Sequence, residues 1–297
     1  MTPTPASVIY PALPDPLTPG DLQQLFSPSF DERKWAPTVA RTPASQVALL
    51  VHLKIFQTIG RFLPAADVPL AVVEYMAHRM VVESGATLIS PGRTLYRHRQ
   101  AILNRSKVVA WGNEARALAQ ATMCKTAKAR SDPADIINSA IDALIRRHFE
   151  LPPLATLRRL CGTVHSNINA TQWTEVCGRL SSAQQAVLES LLVVDLTTQK
   201  SPFANLCSTP GRPSRKNLNA LVERYQWLQQ LPNSAAALQS IADSKVLQWA
   251  NEARRLKALE LREYITPRRH TLLMAVIHNA RGQVLDQLTQ MLLRLSR

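Results

Sequence analysis

A capping residue followed at once by proline recurs along this chain, at Thr18-Pro19, Thr42-Pro43, Ser90-Pro91 and Asp132-Pro133. Proline at the first helical position removes an N–H that no helical carbonyl would have accepted, and the hydroxyl or carboxyl before it satisfies another free amide. Each pair therefore predicts the start of a helix, and the stretches that follow agree. Val47 to Ile59 is apolar on most faces, as a helix buried at the centre of a unit is, and Gly60 is a natural stop. No alternating run of strand type appears, and nine glycines in 297 residues are too few for a turn-rich β protein. The expected fold class is all-α.

Further helices are expected around Phe30 to Trp35, from Pro69, from Pro91 to about Asn104, from about Lys107 to Ala129, and from Pro133. Three shorter ones are expected between Leu154 and Val194, broken near Asn169 and Ser181. Residues 197–214, with Pro202, Pro210, Gly211 and Pro213, read as a linker. Helices resume over about 215–231, 234–241 and 243–264, and from 267 onward. The predicted organisation is a flexible leader (1–17), two helix-turn-helix-like domains (18–105 and 106–196), the linker (197–214), and a helical segment (215–297) that dimerises or continues into something longer. Leu288 to Arg297 is apolar-rich and amphipathic with no stop signal, as in a fragment of a longer chain or a partner-binding helix.

Charge narrows the function. Thirty-five Lys and Arg stand against 21 Asp and Glu, a formal net charge of +14. A field of that sign attracts polyanions, and the candidates are DNA, RNA and an anionic membrane surface. No apolar stretch reaches the roughly 20 residues a membrane span requires, and the Pro-rich, initially uncharged N-terminus is not a secretory signal, so the expected location is cytoplasmic, beside the nucleoid. Cys124, Cys161, Cys177 and Cys207 form no C-x-x-C pair, and no cofactor or metal is expected. Phosphate-binding glycine loops and hydrolase or metalloprotease motifs are absent, and the acids are dispersed. Arg268-Arg269-His270 with Tyr264 has the composition of a tyrosine recombinase site but not its order or spacing. The chain is expected not to be an enzyme.

The DNA-contact candidates are basic and amide side chains. In the helix after Pro91, Arg93, Arg97, Gln100 and Asn104 recur every three to four residues and share a face. Arg, Gln and Asn are the side chains that bridge guanine or adenine edges in the major groove, and a helix before them would complete a helix-turn-helix-like unit. Arg61 and Arg99 join the set, as do Arg158 and Arg159 in Leu154 to Gly162. Arg212, Arg215 and Lys216 lie in a stretch that partly resembles a minor-groove AT-hook without its first arginine. The five tryptophans, in apolar helical patterns, read as core.

The order of segments is that of a known family. Arg41-Thr42-Pro43 through Val47–Lys54 to Gly60-Arg61-Phe62-Leu63, then Asp67-Val68-Pro69, resembles the N-terminal motif of the Tn-three family of replicative transposases. Thr94 to Ile102 is similar to that family's Thr-x-x-x-His-x-x-x-Ile pattern, Leu151 to Leu160 to its Leu-Pro…Thr-Leu-x-Arg-Leu stretch, and Arg268 to Ala275 to its Arg-x-Ala-x-Leu-x-Ala helix. The resemblance covers about residues 18–297, and around Arg41 the family's more strongly basic run is missing. It implies a helical N-terminal portion that recognises double-stranded DNA at transposon terminal inverted repeats. The catalytic acidic triad of such enzymes lies in a later domain with no counterpart here, so no strand-transfer activity is expected. The alternative is a helical scaffold that self-associates or docks on a full-length transposase.

Overall fold

The computed structural model describes residues 7–82, 92–195, 197–198, 200–208 and 215–295, with the backbone alone at 215–217, 292 and 294–295. Among the described residues the chain is all-α, and its one β-type pairing is an isolated bridge between Val109 and Phe149. It forms two compact units, Met1–Met123 with Pro133–Gly162, and Cys124–Asp132 with Thr163–Arg297.

Unit 1 is built around a helix that water hardly reaches. Helices α1 (Pro19–Phe26) and α2 (Phe30–Val39) start with reciprocal caps, Thr18 with Asp21 and Ser29 with Glu32. Glu32 also accepts from Lys54 and Gln57 of α3 (Pro43–Ile59). Burial pushes its carboxyl up, but these three donors hold it below the ordinary glutamate range. α3 is capped by Thr42 and buries Val47 to Leu53, Ile55, Phe56 and Ile59. It ends at Gly60, whose φ of 70° is the left-handed conformation that glycine adopts without a Cβ penalty. α4 (Leu70–Arg79) packs Val72, Val73 and Met76 against it, and α5 (Gly92–Ser106) adds His98, Ile102 and Leu103. Residues 7–17 are tied down without regular structure: Asn138 brackets Ser7 and Ile9, the Tyr10 hydroxyl donates to the Pro152 carbonyl, and Leu13 and Leu17 reach the core. Where the sequence predicts a flexible leader, Ser7, Ile9 and Tyr10 are bonded to partners more than a hundred positions away.

The helix expected from Lys107 starts only at Asn113, as α6 (Asn113–Ala129). Lys107 turns left-handed at φ 53°, the Val108 amide donates to the Leu103 carbonyl, and Val109 exchanges bonds with the segment after α7 (Pro133–Arg146). That closure gives the carbonyls of α5 a partner and competes with helical continuation.

Unit 2 wraps short helices around a long one. α8 (Leu154–Gly178), which begins in unit 1, runs unbroken through Asn169. Asn169 is buried and its amide meets His165 one turn back, so its side chain has no call to compete with the backbone. The break expected at Ser181 is present: Ser181 caps α9 (Ser182–Ser190) through a reciprocal box with Gln184. α10 (Pro202–Cys207) occupies the predicted linker and buries Phe203 and Leu206. Then come α11 (Arg215–Gln230), α12 (Ser234–Leu238), α13 (Asp243–Arg254), α14 (Ala258–Arg262) and α15 (Thr266–Leu295). His270 to Ile277 of α15 are all buried, and α11, α12 and α13 pack on that helix.

The unit boundaries interleave along the chain instead of falling at 105/106 and 196/197. The piece Cys124–Asp132 belongs to unit 2 because four side chains from that unit satisfy the end of α6: Lys245 and Ser244 donate to the Ala127 and Ala129 carbonyls, Gln172 donates to Lys128, and Gln248 accepts from the Ser131 amide.

Candidate nucleic-acid interface

The outer face of α5 is the best-formed basic surface among the predicted sites. One side of the helix is anchored by His98, Ile102 and Leu103. At 100° per residue, Arg93, Tyr96, Arg97, Gln100 and Asn104 fall on the other side. Arg93, Arg97, Asn104 and Tyr96 are exposed, and Gln100 is half-buried. Neither Arg93 nor Arg97 forms an ion pair among the described residues. Beneath them His98 Nε2 lies 3.3 Å from the Ser45 hydroxyl, while its Nδ1 and that of His52 are buried without hydrogen-bond partners among the described residues. Burial, with the neighbouring His52 and Arg97, pushes the His98 imidazole down to about 4. The histidine of the Thr-x-x-x-His-x-x-x-Ile stretch is therefore a neutral core residue that seats α5.

The other candidates are held differently. Arg99 turns away from the exposed face, its Nη2 2.6 Å and 2.8 Å from the two oxygens of buried Glu150 and its guanidinium 5.3 Å from the centre of the Phe62 ring. Glu150 also accepts the Trp111 amide at 3.0 Å, so Arg99 neutralises a carboxylate that ties two loops together. Arg61 lies over the Tyr10 ring at 5.2 Å, beside a cleft lined by Leu13, Leu17, Leu63 and Asp67. Arg158 and Arg159 are exposed on α8, while Leu157 and Leu160 face the core, and Gly162 continues that helix without a turn. Arg212 lies outside the described residues, and Arg215 and Lys216 begin α11 with their side chains outside them. The helix-turn-helix connection expected between α4 and α5 falls mostly on residues 83–91, which are likewise outside.

Much of the positive charge of unit 2 has an internal use that the sequence did not disclose. Arg179 donates to the Ala237 carbonyl at the end of α12, Arg224 to Leu206 and Ser208 at the end of α10, and Arg269 to Arg262 and Tyr264 beyond α14. Arg281 reaches Leu228, Leu231 and Pro232 after α11, and Lys245 reaches Ala127 near the end of α6. Helix ends leave carbonyls without partners and carry negative partial charge, so a cation stabilises both. These five side chains are engaged at helix ends, so their charge is used inside unit 2.

One constellation in unit 2 has the order of a hydrolytic triad. Cys177 Sγ is 3.7 Å from His270 Nδ1, and His270 Nε2 is 2.7 Å from Glu189. Its environment opposes that chemistry. Burial raises the Cys177 thiol, the residue sits in the last turn of α8 at the negative helix end, and Glu189 is also bound by Arg269 at 2.7 Å. Arg268 lies over the Tyr264 ring at 4.0 Å, so the Arg-Arg-His run serves packing and pairing. No group of three or more His, Cys, Asp or Glu that could hold a metal occurs among the described residues, and no described helix is long and apolar enough to cross a membrane.

Residues 8–164 match the family model of DUF4158, a domain of unknown function, and this spans more than half of the chain. The chain belongs to that family, and the matched stretch ends within two residues of the close of unit 1 at Gly162. It is similar to the transposase for transposon Tn1546 of Enterococcus faecium, 18% identical over 252 residues that are 83% of this chain and 26% of that protein. It is also similar to the transposase for transposon Tn501 of Pseudomonas aeruginosa, 20% identical over 156 residues, 52% of this chain and 16% of that protein. These likenesses agree with the resemblance to Tn-three transposases and mark the chain as transposase-related, although it spans about a quarter or less of the length of either relative.

Proposed function

We propose that this chain is a DNA-binding portion of the transposition machinery, with unit 1 as the body that engages duplex DNA at transposon terminal inverted repeats. The observation that carries the reading is the division of labour on α5: His98, Ile102 and Leu103 fasten one side, while Arg93 and Arg97 stand exposed on the other without acidic partners among the described residues. A helix anchored in this way can enter a major groove, with Gln100 and Asn104 on the same face. Arg158 and Arg159 supply phosphate contacts. The test is binding to a labelled inverted-repeat duplex beside a scrambled one across a salt series. A preference for the repeat that survives moderate salt and is lost in an Arg93→Ala/Arg97→Ala variant supports the reading; equal affinity for both duplexes, unaffected by the variant, refutes it.

A second reading, association with another copy or with a full-length transposase, is favoured by the exposed Leu247, Leu259, Ile265 and Leu285 of unit 2. Light scattering behind size-exclusion chromatography tests it, and a monomer at high concentration removes self-association.

A further inference from the structure

Three helices of unit 1 end at one place. The Leu151 amide donates to the Gly60 carbonyl after α3, and the Val109 amide and carbonyl pair with His148 and Glu150, which brings the ends of α5 and α7 beside it. Between them lies a cleft of roughly 290 Å³ walled by Phe56, Val108, Ile145 and Phe149, with Gln57 and Ser106 as polar groups. Ile145 is left 50% exposed beside it, on a helix whose other isoleucines are buried.

The rim is cationic. Lys107, Arg146 and Arg147 are exposed and adjoin lining residues in the chain, and the exposed His148 is itself a lining residue. Among the acids close by in the chain, Glu150 is buried against Arg99 and Asp142 is exposed one turn earlier on α7. Cations at helix ends are expected from the dipole alone. That account leaves two facts unexplained. One is the apolar cleft. The other is that Lys107 and His148 occupy left-handed positions, at φ 53° and 54°, where glycine would serve α5 and α7 at lower conformational cost. Basic residues occupy both positions despite that cost.

The ligand that fits is flat and apolar on its faces, carries hydrogen-bonding groups on its edge, and has anions on both sides. Phe56 and Phe149 offer apolar surface to a ring, Gln57 and Ser106 supply hydrogen-bonding partners for its edge, and the rim supplies charge for phosphates. We propose that this cleft receives one unstacked nucleobase of a DNA strand whose flanking phosphates lie on Lys107, Arg146, Arg147 and His148. The proposal rests on the reading of unit 1 as a DNA-binding body and adds to it a preference for DNA with a base out of the stack.

The test is fluorescence anisotropy of the whole chain against three labelled DNAs of one sequence: a paired duplex, the same duplex with a single extrahelical adenine, and the same bulge carrying an abasic residue. The expected result is at least tenfold tighter binding of the adenine bulge than of the abasic bulge. Val108→Trp, which fills the cleft, should abolish that ratio while leaving paired-duplex affinity unchanged. Because a filled cleft can disturb folding, Lys107→Gly is the second variant. It relieves the left-handed position, so it should melt at a higher temperature than the parent and still bind the adenine bulge several-fold more weakly. Equal affinity for the two bulges with paired-duplex binding intact overturns the cleft assignment and leaves the DNA reading standing. Absence of binding to all three DNAs overturns both. Tight binding of an acidic, aromatic peptide without base discrimination would assign the cleft to a protein partner and overturn the proposal.

Discussion

Lys245 offers the sharpest test of how unit 2 is held together. Its side chain is fully buried on α13, and its Nζ donates to the Ala127 carbonyl at 2.6 Å, 5.4 Å from the centre of the Trp249 ring. Burial pushes the ammonium down from 10.5 to about 8. Between those two values the unfolded chain holds a proton that the folded chain has released, so stability must rise with pH across that window. At 1.36 kcal/mol per pH unit, the displacement corresponds to about 3 kcal/mol, present as a cost below pH 8 and removed by pH 10.5. Replacing Lys245 by Met removes the cost and also the bond to Ala127, whose loss leaves a buried carbonyl worth about 1–3 kcal/mol. At neutral pH the two effects nearly cancel, so a single melting temperature says little. The informative quantity is the difference between the urea unfolding energies of the parent and Lys245→Met at intervals from pH 7 to 10.5, since other titrating groups subtract out. That difference should shift by about 3 kcal/mol in favour of the parent as pH rises. A flat difference would show that the amine is solvated in the folded state and that its role in closing the α6 end is misassigned.

Other consequences follow from the same geometry. Val81 is a β-branched residue at φ 56°, 94% exposed, so Val81→Gly should stabilise by about 1 kcal/mol with no packing lost, measurable as a higher urea midpoint. Arg97→Ala should leave stability within about 0.5 kcal/mol and weaken specific DNA binding by about 1–3 kcal/mol. Arg99→Ala should do the reverse, destabilising by about 2–3 kcal/mol because Glu150 is left buried without its cation; if thermal melts are unchanged, the ion pair does not hold the loops. His98 takes up its proton near pH 4 when folded and near 6.5 when unfolded, so it contributes a loss of stability as pH falls from 6.5 towards 4. His98→Leu should flatten that limb of the pH-stability curve, and an unchanged limb would mean that other groups carry it.

Sequence and tertiary structure each settled a different part of this protein. Helix starts were legible because they are local: Thr18, Thr42 and Ser181 cap through bonds to residues three positions on, and Gly60 stops α3 by its own backbone freedom. The α5 face was legible for the same reason, since helical spacing alone separates Arg93 and Arg97 from His98 and Ile102. Legibility ended where a side chain's partner is remote. Charge counting gave Arg97 and Arg99 the same standing, and only the fold sets Glu150, 51 positions away, against Arg99. Nor does a charge count show that Arg179, Arg224, Lys245, Arg269 and Arg281 are engaged, whereas tertiary packing places them on helix-end carbonyls. The sequence by itself determined that the chain is helical and where most helices begin. Which of its cations remain for a polyanion was decided by the fold, because a carbonyl without a partner recruits whatever donor packing brings near it.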